Sequence, residues 1–237
     1  DPDLQDRIRA AQALALLGGA HDLRQPVTTV LTSLHLLRHF HNKQVSELPI
    51  KDPDIEMRYL RHANNIENAS YALNHTISRA RIVAQLRSGA DVDFEGVNMN
   101  AMISRLSQEL QHTITELGAN IHCPENLPPA IGESTWIEAV WFNYIHNALD
   151  HGGEPPEIWI SADHPEKGTV RYMVQDNGDE IDLNTPLFPP LQPLYEKRFR
   201  GYGLVMVRAV VERMNGNVNV ESSSSGNIFS FTLPAAR

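Results

Sequence analysis

The chain has 237 residues, of which 41% are hydrophobic and 21% are charged, so it is long enough for two domains with separate cores. Its formal net charge of −9 argues against nucleic-acid binding. The single cysteine, Cys123, excludes an internal disulfide and is typical of a reducing, cytoplasmic compartment. No apolar run is long enough to span a membrane, and the first residues do not form a secretory signal.

The first forty residues carry the spacing of a helix packed in a bundle. Apolar residues recur at alternating three- and four-residue steps between positions 13 and 37. His21 follows one of these apolar positions, so solvent can reach its ring, and Asp22 beside it can accept the ring proton. Pro26 should bend the helix just past His21. The pattern favours a nucleophilic histidine, with a surface histidine on a structural helix as the alternative.

A second helical stretch is predicted for residues 55–87, after a connector that contains Pro49 and Pro53. Two long amphipathic helices form a hairpin with one apolar stripe uncovered, and a second copy would cover it in a four-helix bundle. The helical pattern stops at residues 88–91, which predicts a helical domain over 1–90 and a second domain over 91–237. Since there is no initiator Met and the helix is under way by Leu4, we expect a fragment that lacks an upstream region.

The second domain alternates helical and strand patterns. We expect a helix over 98–117 with Asn98 or Asn100 as its cap, a helix over 134–151, and a last helix that ends near 214. Strands are predicted at 92–97, 119–122, 157–162, 169–175, 217–222 and 227–233. The order predicts an α+β domain in which helices pack on a sheet.

Two asparagines lie four residues apart on the helix predicted for 134–151. Asn143 and Asn147 therefore place both carboxamides on one helix face. Carboxamide oxygens can coordinate a Mg²⁺ ion that is shared with nucleotide phosphates. A solvated face is the alternative for an isolated pair.

A carboxylate follows the strand predicted for 169–175. Asp176 can accept the amino proton of an adenine, and Gly178 lets a planar ring approach the backbone. A proline-containing loop over 182–200 ends with Lys197 and Arg198, which could contact phosphates.

The last helix opens with Gly201-Tyr202-Gly203. Backbone amides at a helix N-terminus are suited to anions, so this turn can bind a phosphate. A tight loop-to-helix turn without a ligand is the alternative.

Together these segments resemble the catalytic core of two-component sensor histidine kinases over nearly the whole chain. The similarity runs in order through the H-box (21–26), the N-box (141–152), the G1 box (176–180), an ATP lid (182–200) and the G2 box (201–206). Three places depart from the family pattern. Asp150 stands where a basic residue is common, Glu180 replaces the second glycine of the G1 box, and Val205-Met206 replace the last Gly-Leu of the G2 box.

The resemblance implies the roles of the residues in the first domain. His21 would be the phosphoacceptor, Asp22 its acid/base partner, and Gln25 the residue that orients water when the phosphorylated regulator is hydrolysed. The domain would form the dimeric four-helix bundle of a homodimer, and its partner would be the receiver domain of a response regulator. The upstream region missing from the fragment would be the sensor.

The resemblance also implies the roles in the second domain, which would be an α/β-sandwich ATPase of the type shared with Hsp90 and MutL. The cofactors would be ATP and Mg²⁺. Asn147 would ligate the metal with support from Asn143, and Asp176 would read the adenine. The remaining nucleotide contacts would be Gly178, Lys197, Arg198, Gly201 and Gly203.

Three functions stay open on the sequence. The chain is an active kinase that phosphorylates His21 from Mg-ATP, or a module with impaired nucleotide binding, or a structural dimeric adaptor. The second would receive phosphate on His21 from elsewhere, act as a phosphatase through Gln25, or serve as a scaffold. Asp150, Glu180 and Val205 favour the second and third.

Overall fold

The computed structural model describes residues 29–30, 32–34, 36–37, 53–89, 91–184, 187–188 and 202–236. The chain divides into two compact units, Asp1–Arg81 and Ile82–Arg237. Within the described residues, no helix combines the length and the apolar character needed to cross a membrane. Most of the predicted first helix lies outside the described residues, so the hairpin, its bundle and the domain boundary near residue 90 stay predictions.

Helix α1 (Pro53–Ser88) confirms the helix predicted for 55–87. It ends at Gly89, which adopts a left-handed φ of 64° that glycine tolerates better than other residues. Along α1, Ala69, Ala80 and Val83 are buried, whereas Ile77 is 58% exposed. Single exposed apolar side chains are common on protein surfaces, so the uncovered stripe of the hairpin stays a prediction.

The second unit is built on a mixed five-stranded sheet with the strand order β2-β4-β5-β7-β6. Strands β1 and β3 form a separate antiparallel pair. Strand β2 runs parallel to β4, and the other neighbours in the sheet are antiparallel. The strands are β1 (Glu95–Val97), β2 (Asn120–His122), β3 (Ala130–Gly132), β4 (Glu157–Asp163), β5 (Thr169–Asp176), β6 (Val218–Ser223) and β7 (Gly226–Pro234).

Among its described residues the second unit has the helices α2 (Met99–Glu109), α3 (Gln111–Leu117), α4 (Ser134–His151) and α5 (Tyr202–Arg213). The Asn98 side chain accepts a hydrogen bond from the Ala101 N–H at 3.0 Å and caps α2, as predicted. The single helix expected over 98–117 is in fact two helices separated by Leu110. Strand β3 was not predicted, because Ala130–Gly132 show no alternation of apolar and polar side chains and directly follow two prolines.

The core lies between the sheet and the helices. Alternate residues of β5 are buried, which brings Val170, Tyr172 and Val174 to the same face. Trp141 of α4 is fully buried, with its ring centroid 5.6 Å from that of Tyr172 and 5.2 Å from that of Phe231. Both contacts are edge-on, an arrangement that aromatic pairs favour. Trp141 thus joins α4 to two neighbouring strands of the sheet.

The two tryptophans Trp141 and Trp159 differ in burial, and this difference predicts their contributions to stability. We expect Trp141→Ala to lower the free energy of unfolding by about 3–5 kcal/mol, because it removes a large side chain from a closed core. Trp159 is 39% exposed, so Trp159→Ala should cost less than about 1.5 kcal/mol. Urea denaturation followed by circular dichroism measures both values. Equal losses would contradict the packing described here.

The open face of the sheet carries a polar cluster at the β2–β4 pair. The His122 ring lies 2.8 Å from one carboxylate oxygen of Glu157, and the Asn120 amide donates to the other at 2.7 Å. The hydrogen bond with His122, and then the one from Asn120, hold the pKa of Glu157 below its ordinary value. The cluster therefore favours the ionised form of Glu157 in the folded chain.

This pKa shift predicts a pH-dependent contribution to stability. A folded-state pKa below the ordinary value of 4.5 means that the contribution is present above that pH and is lost as the pH falls through the folded-state pKa. The difference in unfolding free energy between the wild type and Glu157→Gln should thus be seen at about pH 6 and shrink towards about pH 3. Exposed Glu125 supplies the control Glu125→Gln. A difference that does not change with pH would contradict the prediction.

Candidate functional site

Helix α4 meets the start of α5 at Asn143. Asn143 is only 8% exposed, and its amide nitrogen donates to the Ala139 carbonyl at 2.6 Å. A Cβ atom on Gly203 would lie 2.1 Å from the Asn143 side-chain oxygen. The lack of a side chain at Gly203 therefore lets the first turn of α5 lie directly against Asn143. The predicted N-box and G2 segments are adjacent.

The other end of α4 meets the turn that follows β5. A Cβ atom on Gly178 would lie 2.2 Å from the His151 carbonyl oxygen. The side-chain oxygen of Asn177 accepts hydrogen bonds from the N–H groups of Gly153 and Glu157, both at 2.9 Å. The predicted G1 turn is thus held to the last residue of α4 and to the segment that follows it.

Asp176 ends strand β5 with a buried carboxylate that is 2% exposed. Its Oδ1 atom accepts hydrogen bonds from the Gly178 N–H at 2.9 Å, the Asn227 side-chain amide at 2.9 Å and the Asn227 N–H at 3.3 Å. Among the described residues, no donor contacts its Oδ2 atom. One oxygen is held by the protein, and the other is left as an acceptor for a ligand.

Asn147 lies one turn after Asn143 on α4 and is half-buried. In the described part of the chain its carboxamide makes no hydrogen bond. A carboxylate oxygen of the neighbouring Asp150 lies 2.9 Å from His146 Nδ1, so Asp150 has an imidazole beside it. No group of three or more His, Cys, Asp or Glu side chains that could hold a metal occurs among the described residues. On this helix the Asn147 carboxamide oxygen is available as a metal donor.

Three of the residues that depart from the family pattern, Glu180, Val205 and Met206, differ in burial. Glu180 is exposed. Asn215 is the one non-glycine residue with a positive φ among those described, so Glu180 adopts an ordinary backbone conformation that needs no glycine. Val205 is 6% and Met206 3% exposed, and both fill the interior beneath α5.

Part of the loop between β5 and α5 is anchored to the core. Arg208 of α5 donates to the Phe188 carbonyl oxygen at 2.8 Å and to the Glu212 carboxylate at 2.7 Å. The Phe188 ring lies 6.4 Å from that of Phe229 on β7. This part of the predicted lid packs on the same domain as Asp176.

Six predicted site residues fall outside the described residues, so the structure does not place them: His21, Asp22, Gln25, Lys197, Arg198 and Gly201. Two residues with polar contacts at the site were not predicted. Asn177 stands directly after Asp176, so a turn asparagine could have been singled out. Asn227 carries no local signal, since it lies 51 residues from its partner Asp176.

A comparison with family models matches residues 132–237 to the histidine kinase-, DNA gyrase B-, and HSP90-like ATPase family. The match begins at Gly132, the last residue of β3, and covers α4, the sheet strands β4 to β7, and α5. All the described site residues lie within it.

Two proteins with similar sequences are named as a sensor protein and a sensory kinase. The phosphate regulon sensor protein PhoR of Haemophilus influenzae is 25% identical over 90% of this chain and 49% of its own length. The adaptive-response sensory kinase SasA of Crocosphaera subtropica is 25% identical over 99% of this chain and 62% of its own. The chain thus spans about half to three fifths of the length of these relatives.

A solved structure with a similar fold is the histidine kinase AdeS of Acinetobacter baumannii. Its TM-score is 0.57 and its identity 18%, over 92% of this chain and 98% of that one. At this identity the likeness bears on the fold alone.

The contact between Gly203 and Asn143 predicts a coupling between their substitutions. Gly203→Ala should destabilise the domain, because its methyl group would overlap the Asn143 side chain. In an Asn143→Ala background the overlap is removed, so the same change should be tolerated. A double-mutant cycle measured by urea denaturation should give a coupling of about 1–2 kcal/mol. Additive effects would contradict the close approach.

Proposed function

We propose, on the premise that residues 132–237 belong to the histidine kinase-, DNA gyrase B-, and HSP90-like ATPase family, that this chain is a sensor histidine kinase core. It binds Mg-ATP in the second unit and transfers the γ-phosphoryl group to His21. The phosphoryl group then passes to an aspartate on the receiver domain of a response regulator. The relatives named sensor protein and sensory kinase support the assignment.

The observation that carries the proposal is the Asp176 carboxylate. It is buried at the end of β5, three donors hold Oδ1, and no described donor contacts Oδ2. A carboxylate oxygen that no described donor contacts suits a base that presents an amino group, as adenine does. Helix α4 approaches the G1 turn at His151 and the first turn of α5 at Asn143. The segments predicted to contact the base, the metal and the phosphates therefore lie around one helix.

The donor set on α4 fits a magnesium ion. Mg²⁺ prefers oxygen ligands and keeps several waters, so one carboxamide oxygen from the protein is sufficient beside phosphate oxygens. Asn147, half-buried and without a hydrogen bond among the described residues, would hold it with support from Asn143. When bound, the ion would neutralise part of the phosphate charge.

The remaining roles follow from the sequence resemblance. The unprotonated imidazole nitrogen of His21 would form a bond to the γ-phosphorus as the bond to the ADP oxygen breaks, while Asp22 would accept the proton of the other ring nitrogen. Lys197, Arg198 and the turn Gly201–Gly203 contact the phosphates, and Gln25 orients water for hydrolysis of the regulator's phosphate. A homodimer through the helical hairpin completes the core. The catalytic contribution is mainly positioning and neutralisation of charge.

The proposal predicts labelling of the purified chain by γ-labelled ATP with Mg²⁺. His21→Ala should abolish the label, because the acceptor nitrogen is lost. Asn147→Ala should lower the initial rate by roughly tenfold or more, because the metal loses its protein ligand. Label stability in base and loss in acid would identify a phosphohistidine.

Asn219→Ala, at an exposed asparagine on β6, is the matched control and should keep the wild-type rate. An unlabelled wild type that also fails to bind ADP would favour the module with impaired nucleotide binding. Label that persists in His21→Ala would contradict the assigned acceptor.

A further inference from the structure

The hairpin of β6 and β7 packs directly against the turn that carries Asp176. Gly226, at the start of β7, has a φ of 119°, and a Cβ atom there would lie 1.9 Å from the Asp176 carbonyl oxygen. No residue with a side chain fits at this place. The next residue, Asn227, is consequently brought within hydrogen-bond distance of the Asp176 carboxylate and is 2% exposed.

Both N–H donors and the oxygen of the Asn227 amide are hydrogen-bonded within the protein. Its nitrogen donates to Asp176 Oδ1 at 2.9 Å and to the Asp179 carbonyl at 3.0 Å. Its oxygen accepts from the Ser222 hydroxyl at 2.6 Å, and that hydroxyl accepts from the Ile181 N–H at 2.8 Å. Since Ser222 must donate to Asn227, the amide is held in one orientation. Asn227 therefore joins the G1 turn to the hairpin on both sides of Glu180.

The consequence concerns the two oxygens of Asp176. All the partners of Oδ1 are donors, so this oxygen acts as an acceptor, and two of the three donors come from Asn227. With Oδ1 fixed, the direction of Oδ2 is fixed as well. A site built to accept a hydrogen bond rejects a ligand that presents an acceptor there, because two acceptors then face each other.

We infer that Asn227 is the positioning residue that makes the site discriminate a 6-aminopurine nucleotide from a 6-oxopurine nucleotide. It does so without contacting the base, by fixing the Asp176 carboxylate. The inference rests on the proposed binding of ATP by this domain. It also explains how a G1 turn without a second glycine is held in place, because the Asn227 and Ser222 hydrogen bonds anchor residues 179 and 181.

The test compares the affinities of ADP and inosine diphosphate by calorimetry on the full chain. The wild type should bind ADP at least about tenfold more tightly. Asn227→Leu, similar in size but without donors, should lower this ratio by about fivefold or more, through weaker ADP binding with inosine diphosphate affected less than about twofold. Asn219→Leu, on the exposed face of β6, should leave the ratio unchanged.

A second variant covers the case in which Asn227→Leu does not fold, as judged by circular dichroism. Ser222→Ala removes the hydroxyl that orients the amide and should lower the ratio by about threefold. A wild-type ratio in the folded variants, or an equal loss of both nucleotides, would overturn the inference and leave nucleotide binding standing. A wild type that binds neither nucleotide would overturn the proposed function and the inference together.

Discussion

The packing of α4 against the sheet is the constraint on which the site depends. Trp141 is fully buried between Tyr172 and Phe231, and this contact fixes the rotation of the helix about its axis. Because residues two positions further on point about 160° away on a helix, fixing Trp141 also fixes Asn143, which meets α5. The same rotation sets Asn147 one turn later. A hydrophobic contact thus positions the polar groups.

Two glycines at the site are required because a side chain would not fit, and not because of their backbone conformation. Gly178 approaches the His151 carbonyl, and Gly203 approaches the Asn143 side chain. Neither has a positive φ, so space rather than backbone freedom requires glycine at both positions. Val205 and Met206 lie one turn further into α5 and are buried, where large apolar side chains strengthen the packing. Within the described part of the G2 box, glycine is thus needed at position 203.

The periodic parts of the fold could be predicted from the sequence, and the polar network could not. Helix α4 spans 134–151 as predicted, because its spacing of apolar residues is long and regular. The strand pattern of residues 169–175 predicted β5, and Asp176 is the last residue of that strand. Asn227 was missed because its partner is distant in sequence and its own segment resembles any closing strand. The exposure of Glu180 depends on that same hairpin, so no local pattern could predict it.

The central claim is that a nucleotide binds where α4, the G1 turn and the start of α5 come together. An NMR titration of chain labelled with ¹⁵N-glycine, using ADP and Mg²⁺, tests it most directly. The account predicts shifts of the Gly178 and Gly203 amides, and none at Gly168, which precedes β5 at the end opposite Asp176. Unchanged Gly178 and Gly203 signals at saturating ADP, or shifts confined to Gly168, would contradict it.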